Sequence, residues 1–373
     1  MTGLYIHIPF CESRCIYCGF YSTTRRELQD DYVQALCREM AMRKDEGADG
    51  LATVYIGGGT PSQLSASNIR SIFDGIDDVF SPDWGKMEIT MECNPEDITD
   101  DFCRALSQTP VNRVSMGAQT FSDVRLRFLR RRHDSAQVAR AVRRLRAVGI
   151  DNISIDLMFG FPGETVAEWT DDISCALALR SEHLSAYSLQ YEEGTLLYRM
   201  LAKGEVSEID DETYRMMYNV LCDRMEAAGY DHYEISNFAL PDRRSRHNSS
   251  YWHDVPYIGL GASAHSYSGK QRSWNVSSMT EYIRLIMSGV RPSESETIDE
   301  RTHYDDMVMT ALRTREGINL DEMPVEFRKY IVGSAEKYIG AGEMWTDGHR
   351  LALTREGIFV SDMIMADLMR PDE

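Results

Sequence analysis

No apolar run in the 373-residue sequence approaches the roughly 20 residues that a membrane-spanning helix needs. The first residues carry no basic stretch followed by a hydrophobic one, which argues against a secretory leader and an oxidising destination. The expected location is the reducing cytoplasm, with transient contact at a membrane surface still compatible. Basic residues are in deficit: 40 lysines and arginines stand against 59 aspartates and glutamates, a formal net charge of −19. Such an excess of negative charge opposes non-specific attraction to nucleic acid or to an anionic membrane. The basic run from Arg125 to Arg132 stands out within it and reads as a solvated helix end. Cysteine is scattered. Of eight, Cys37, Cys93, Cys103, Cys175 and Cys222 are isolated, as small buried side chains are. Only Cys11, Cys15 and Cys18 have the spacing of metal ligands.

What is present is a globular composition, 43% hydrophobic, in a chain long enough for one α/β barrel with a smaller domain attached. Short apolar runs predict strands at 3–9, 52–57, 88–93, 112–118, 152–159 and 184–190. Helical patterns at 26–45, 65–78, 99–107, 135–148 and 164–180 separate them. That βαβ rhythm, with runs apolar at nearly every position, predicts a parallel sheet covered by helices. Six units without a clear seventh or eighth predict a partial (β/α)6 barrel over 1–205, with ligands at the carboxyl ends of its strands. After a helix at 206–228, the stretch 229–275 reads as irregular, and 206–290 as an extension of the barrel. From about Arg291 the composition turns polar and acidic, and 291–373 reads as a small helical or winged-helix-like domain. Its acidic setting weighs against DNA as a partner.

The strand Gly3-Leu4-Tyr5-Ile6-His7-Ile8 runs into a tight loop holding Cys11, Cys15 and Cys18. Spacing alone leaves three readings open: reduced buried thiols, a zinc site completed by a distant fourth ligand, or an iron–sulfur cluster. Three thiolates can hold three irons of a [4Fe-4S] cube and leave the fourth iron open to the amino and carboxylate groups of S-adenosylmethionine (SAM). The second strand ends in Gly57-Gly58-Gly59-Thr60-Pro61, which lacks the GKS or GKT ending of a nucleotide P-loop. Its glycines permit close backbone approach to an amino acid moiety, or simply a tight turn. Further strand ends place Glu92, Gln119 and Asp156 toward the same mouth. A single acid there would suggest a cap or salt bridge; the repeated placement suggests ligand contacts.

These motifs carry a family resemblance. The segment Tyr5 to Cys18, the glycine run, Glu92-Cys93-Asn94-Pro95, the stretch Asn112 to Phe121, Asp156 to Gly163, His183-Leu184-Ser185-Ala186-Tyr187 and Tyr233 to Ala239 resemble the radical SAM oxygen-independent coproporphyrinogen III dehydrogenase family over nearly the whole chain. The resemblance implies Cys11, Cys15 and Cys18 as cluster ligands. It likewise implies Tyr5 and the Tyr17 backbone near the methionine and adenine, Gly58, Gly59 and Thr60 at the amino group, and Glu92, Gln119, Arg131 and Asp156 as further SAM contacts. Arg131 would pair with the SAM carboxylate, and Asp156 would accept from a ribose hydroxyl.

The family has two branches. The true dehydrogenases carry an additional N-terminal segment and a CxxxCxxCxC motif; here Phe20 stands at the extra cysteine, and the chain begins close to its first strand. Both departures, the motif His247-Asn248-Ser249-Ser250-Tyr251-Trp252 and the segment around Gly259 that precedes His265 resemble the heme-chaperone branch. That branch implies heme as a third cofactor and a heme-accepting respiratory protein as partner. Radical chemistry would add a one-electron donor of the flavodoxin or ferredoxin type, and a homo-oligomer is compatible. Imidazole can ligate heme iron, and flat aromatic side chains can cover a macrocycle, which makes His247 a candidate heme contact. By residue chemistry alone, a histidine hydrogen-bonded within a loop is the simpler reading. The alternative is the dehydrogenase reaction itself, for which basic residues should clamp the substrate carboxylates. Arg14, Arg25, Arg26, Arg243, Arg244 and Arg246 are the candidates in sequence, and solvated side chains are their default reading.

Overall fold

The structure, a computed structural model, describes residues 2–370. The barrel is built from β1 (Thr2–Ile8), α1 (Gln29–Met42), β2 (Leu51–Gly58), α2 (Ala66–Phe80), β3 (Glu88–Cys93), α3 (Asp100–Leu106), β4 (Arg113–Gln119), α4 (Asp123–Phe128), α5 (Ser135–Ala147), β5 (Asn152–Phe159), α6 (Val166–Ala178) and β6 (His183–Ser188). Strands β1 to β6 lie in sequence order and pair in parallel. Every interior strand is covered by helices, so Ile6, Ile8, Val54, Ile56, Ile89, Met91, Val114, Met116, Ile153 and Ile155 are buried in one continuous core. Helix starts are chemically marked. Asp134 with Gln137, and Thr165 with Glu168, form reciprocal capping boxes at α5 and α6. The buried stripe of α5 is Val138, Ala141, Val142 and Leu145, recurring at helical intervals.

The chain continues through α7 (Leu196–Ala202), α8 (Asp211–Ala227), β7 (Asp231–Glu234), β8 (Asn237–Ala239), α9 (Arg246–Trp252), β9 (Tyr257–Leu260), β10 (His265–Tyr267), β11 (Gln271–Asn275), α10 (Met279–Met287) and β12 (Ser293–Thr297). The stretch that reads as irregular extends both edges of the barrel. β8 pairs antiparallel with β6 and carries β7, while β9 pairs parallel with β1 and leads to antiparallel β10, β11 and β12. The result is a twelve-stranded sheet. These edge strands are 3 to 5 residues long, too short for alternation to be visible in sequence.

The added edge is tied to the barrel by a buried ion pair. Glu39 on α1 and Arg43 at its C-terminal cap lie 3.4 Å apart, with side chains 0% and 2% exposed. Glu39 also accepts from the Tyr282 hydroxyl, the Asn275 amide and the Gly261 N–H, while Arg43 donates to the Gly259 carbonyl and Ser266. Removing one partner strands a charge and several donors. Glu39→Ala is therefore expected to destabilise the protein by about 3–5 kcal/mol, read as a shift of the denaturant midpoint.

The C-terminal domain comprises α11 (Glu300–Ala311), β13 (Ile318–Asn319), α12 (Val325–Gly340), β14 (Met344–Thr346), β15 (Arg350–Leu353), α13 (Arg355–Ile358) and α14 (Ser361–Leu368). Its helices pack with a three-stranded antiparallel sheet around a separate core that includes Tyr304, Val308, Phe327, Ile331, Leu351 and Ile364. β12 pairs with β11, so residues 293–297 belong to the twelve-stranded sheet.

Candidate functional site

A cavity of about 510 Å³ opens at the carboxyl ends of the parallel strands. The cysteine loop leaves β1 and folds over it, anchored by Cys11 N–H to the Thr23 carbonyl and Ile16 N–H to the Leu129 carbonyl. Cys11, Cys15 and Cys18 all line the cavity, and none forms a disulfide. Burial raises the Cys11 and Cys18 thiols above their ordinary range. The Thr60 hydroxyl lies 3.4 Å from Cys11 Sγ and also meets the Asn94 amide, joining the loop to the ends of β2 and β3. The three free thiols share the cavity with a cation, although among the described residues no three His, Cys, Asp or Glu side chains are gathered closely enough to hold a metal ion. That cation is Arg131, whose Nη1 is 3.7 Å from Cys15 Sγ.

Arg131 leaves the solvated helix end expected for the run Arg125–Arg132. Its Nη2 donates to Asn94 Oδ1 at 2.8 Å and to the Gly117 carbonyl at 2.7 Å. Burial works against its charge, but Tyr17, Cys15 and Glu96 outweigh it and raise its pKa further. Its Nε is buried without a hydrogen-bond partner, a donor left over at the cavity wall. The rest of the run divides: Arg125 pairs with Glu164 and Glu168, and Arg132 reaches Glu12, Glu96 and Asp97.

Gln119 reaches the cavity through a register shift between β4 and β5 at Gly117 and Gln119, where its φ is 66°. Gly117 makes this possible: a Cβ there would lie 2.6 Å from Gln119 Nε2 and 3.3 Å from Arg131 Nη2. Gly58 has a φ of 112°, and its N–H donates to Glu92 at 3.0 Å. Glu92 also accepts from the Tyr55 hydroxyl at 2.7 Å, yet burial dominates and raises its pKa to about 7. Burial likewise raises Asp156, against donation from Ser185, Ser115 and Ser154.

The structure thus brings Tyr17, Gly58, Gly59, Thr60, Glu92, Gln119, Arg131 and Asp156 to one cavity with the three cysteines. It leaves two candidates outside. Tyr5 stands behind the wall, its hydroxyl 2.9 Å from His7 Nδ1 and its ring stacked on Tyr55. His247 is fully buried: Nδ1 meets the Thr53 hydroxyl at 2.8 Å, Nε2 meets the Tyr251 hydroxyl at 2.9 Å, and the ring stacks on Tyr55. Burial, then the nearby Arg113, lowers its pKa to about 3. Both ring nitrogens are engaged and no ring surface is open to iron, so the hydrogen-bonded arrangement is the one observed. The aromatic faces are engaged too: Tyr251 packs edge-on against His247 and Tyr257, and Arg313 lies over Trp252.

Asn94, Ser115, Tyr187 and Asn248 also line the cavity and escaped the sequence reading. Asn94 and Asn248 sit inside motifs already noticed, each beside a more conspicuous residue. Ser115 shares a strand face with Arg113 by the two-residue period, which was a usable signal. Of the arginines offered as a carboxylate clamp, Arg14 lines the cavity, but Arg25 pairs with Glu27, Arg26 with Glu12, and Arg244 with Asp231 and Glu316, while Arg246 meets the Lys86 carbonyl, so the set does not come together there.

Comparison with known proteins agrees with this geometry. The Radical SAM superfamily model matches residues 5–176. The chain is 36% identical over 336 residues to heme chaperone HemW of Bacillus subtilis (strain 168), covering 89% of each protein. It is 32% identical over 375 residues to heme chaperone HemW of Mycobacterium tuberculosis (strain H37Rv), covering 98% of this chain and 94% of the relative. The chain belongs to the HemW family. Among solved structures, coproporphyrinogen III oxidase (HemN) of Escherichia coli, a radical SAM enzyme, superposes with a TM-score of 0.85 over 99% of this chain and 90% of that one. At 20% identity that likeness shows a shared fold, the partial barrel with its C-terminal helices. Among the described residues no helix is long and apolar enough to cross a membrane.

Proposed function

We propose that the chain is a heme chaperone, binding a [4Fe-4S] cluster, SAM and heme and delivering heme to a respiratory hemoprotein. The observation that carries this reading is similarity to HemW proteins along almost the whole chain, at 32% identity over 98% of it. Cys11, Cys15 and Cys18 are the thiols that would hold the cluster, which when bound supplies an electron to the SAM sulfonium. Gly58, Gly59, Thr60, Glu92, Gln119, Arg131 and Asp156 are the residues we assign to SAM. Ionised Glu92 balances an ammonium, Arg131 offers donors to a carboxylate, and Asp156 accepts from hydroxyls. The Tyr17 side chain, half-buried at the loop, would shield that end of the cavity from water.

Phe20 marks the difference from the dehydrogenase branch. It lines the cavity rim and is 70% exposed, an apolar surface where that branch carries a further cysteine. We place the protein in the cytoplasm, meeting its hemoprotein partner at the membrane surface and taking electrons from a flavodoxin- or ferredoxin-type donor. Heme titration of the full-length protein and of His247→Ala tests the reading. Saturable uptake by both is expected, since the buried imidazole has no nitrogen free for iron. Absence of uptake by the intact protein rejects the chaperone function, whereas loss in His247→Ala alone, with the fold retained, would reinstate that histidine as a ligand.

A further inference from the structure

The arginines that line the cavity differ in what they already hold. Arg131 lies against Cys15, Asn94 and the Gly117 carbonyl, and Arg132 reaches Glu12, Glu96 and Asp97. Arg14 is not engaged in this way. It is exposed at the rim, on the cysteine loop, and its one hydrogen bond is a long one, 3.5 Å, to the Phe20 carbonyl. The nearest acid in sequence, Glu12, is taken up by Arg26 and Arg132. Among the described residues no ion pair joins Arg14 to a carboxylate. Such a guanidinium is hydrated, and its planar fork is free to take a carboxylate that arrives from outside.

The aromatic side chains sort in a matching way. Among the described residues the two most exposed are Phe20 and Tyr187, at 70% and 43%, and both line this cavity. A single exposed ring is ordinary, but two at one mouth, beside an unpaired arginine, make a patch. Phe20 belongs to the cysteine loop and Tyr187 to β6, and the two elements are fastened together. Leu197 N–H donates to the Ile16 carbonyl at 2.9 Å, and Ile16 packs in one buried cluster with Leu189 and Leu197. The Glu192 carboxylate lies so close to Gly19 that a Cβ there would have no room. Tyr187 is reached from within the concavity, since burial and then Asp156 still raise its hydroxyl pKa. Phe20, the more exposed ring, stands at the outer lip.

We propose that Phe20, Tyr187 and Arg14 form a docking surface for a flat apolar macrocycle bearing carboxylates, with its face on the rings and one carboxylate on Arg14. Under the proposed function that molecule is heme, so the inference rests on the chaperone reading and gives its heme a place. Volume sets the position. The cavity's 510 Å³ must also hold SAM beside the cluster, so the macrocycle lies across the mouth and not inside. The rings supply buried area, and the arginine supplies orientation through a charge-assisted contact. Among the described residues no histidine lines the cavity, so recognition here rests on the plane and the carboxylate rather than on an imidazole.

The test titrates heme and heme dimethyl ester into full-length reconstituted protein, comparing wild type with Phe20→Ser and Arg14→Glu. Both side chains are exposed, so neither change disturbs the core, and iron content and SAM affinity are measured on every sample. Phe20→Ser is expected to weaken both ligands about tenfold, because the ring face serves the macrocycle whatever its carboxylates carry. Arg14→Glu is expected to weaken heme about fivefold or more at low salt and to leave the ester, whose carboxylates are blocked, unchanged. Iron content and SAM affinity should stay at the wild-type level. Heme binding by both variants equal to that of wild type overturns the proposal alone and leaves the patch to another occupant, such as the acceptor protein. A loss of iron or SAM in parallel with heme also overturns it, since these residues would then build the cavity itself. If wild type takes up no heme, the chaperone reading fails and the docking surface with it.

Discussion

Anaerobic reconstitution of Cys15→Ala with iron and sulfide is expected to yield protein without a four-iron cluster, where wild type takes up about four irons per chain. The reason is local. The three cysteines come from one loop between β1 and α1, with Cys15 the member beside Arg131. Two thiols cannot replace three, and the fourth cysteine lining the cavity, Cys93, is a buried side chain at the end of β3 whose pKa burial raises. Loss of Cys15 also removes the sulfur beside the Arg131 guanidinium, whose remaining hydrogen bonds go to Asn94 and the Gly117 carbonyl. Visible absorption and electron paramagnetic resonance of the reduced protein read the result, and full retention of four irons by the variant would remove the cysteine loop from the account.

Glu92→Gln carries the second large effect, and pH separates it from simple disruption. Burial raises the Glu92 carboxyl to about 7, so it is mostly neutral at pH 6 and mostly ionised at pH 8. Pairing with the SAM ammonium requires the ionised form, so wild-type affinity should climb about tenfold from pH 6 to pH 8. Glu92→Gln should bind SAM about tenfold or more weakly at pH 8 and show no such climb. Stability runs the opposite way. A carboxyl whose pKa is raised on folding holds its proton more tightly in the folded state, so the ligand-free protein loses stability as pH rises from the ordinary carboxylate range through about 7. The glutamine variant lacks this decline, and melting curves at pH 5 and pH 8 display the crossing. A wild-type SAM affinity independent of pH would contradict the role given to Glu92.

The parallel barrel was legible because strands covered on both faces are written as nearly unbroken apolar runs, and β2, β5 and β6 stand close to where those runs lie. The cysteines and polar strand ends were legible for a related reason, since a polar side chain at the end of an apolar strand has few destinations other than the cavity. Three features were hidden. Strands such as β8 and β10 have 3 residues each and become strands only because a barrel edge offers unpaired backbone groups. Arg131 sits in a run of arginines, and only the family resemblance, not the order of the residues, singles out the one that reaches the cysteine loop. His247 drew attention because its chemistry suggests iron, but the partners that occupy both its nitrogens, Thr53 and Tyr251, are visible only once α9 is seated against β2.

The central claim, heme carriage on a radical SAM scaffold, is tested most directly by two assays run on one anaerobic, reconstituted preparation supplied with SAM and a reductant. Heme-loaded protein is mixed with an apo respiratory hemoprotein, and an unloaded sample is given coproporphyrinogen III. The account predicts heme transfer to the acceptor and no protoporphyrinogen IX; catalytic formation of protoporphyrinogen IX without heme transfer would contradict it.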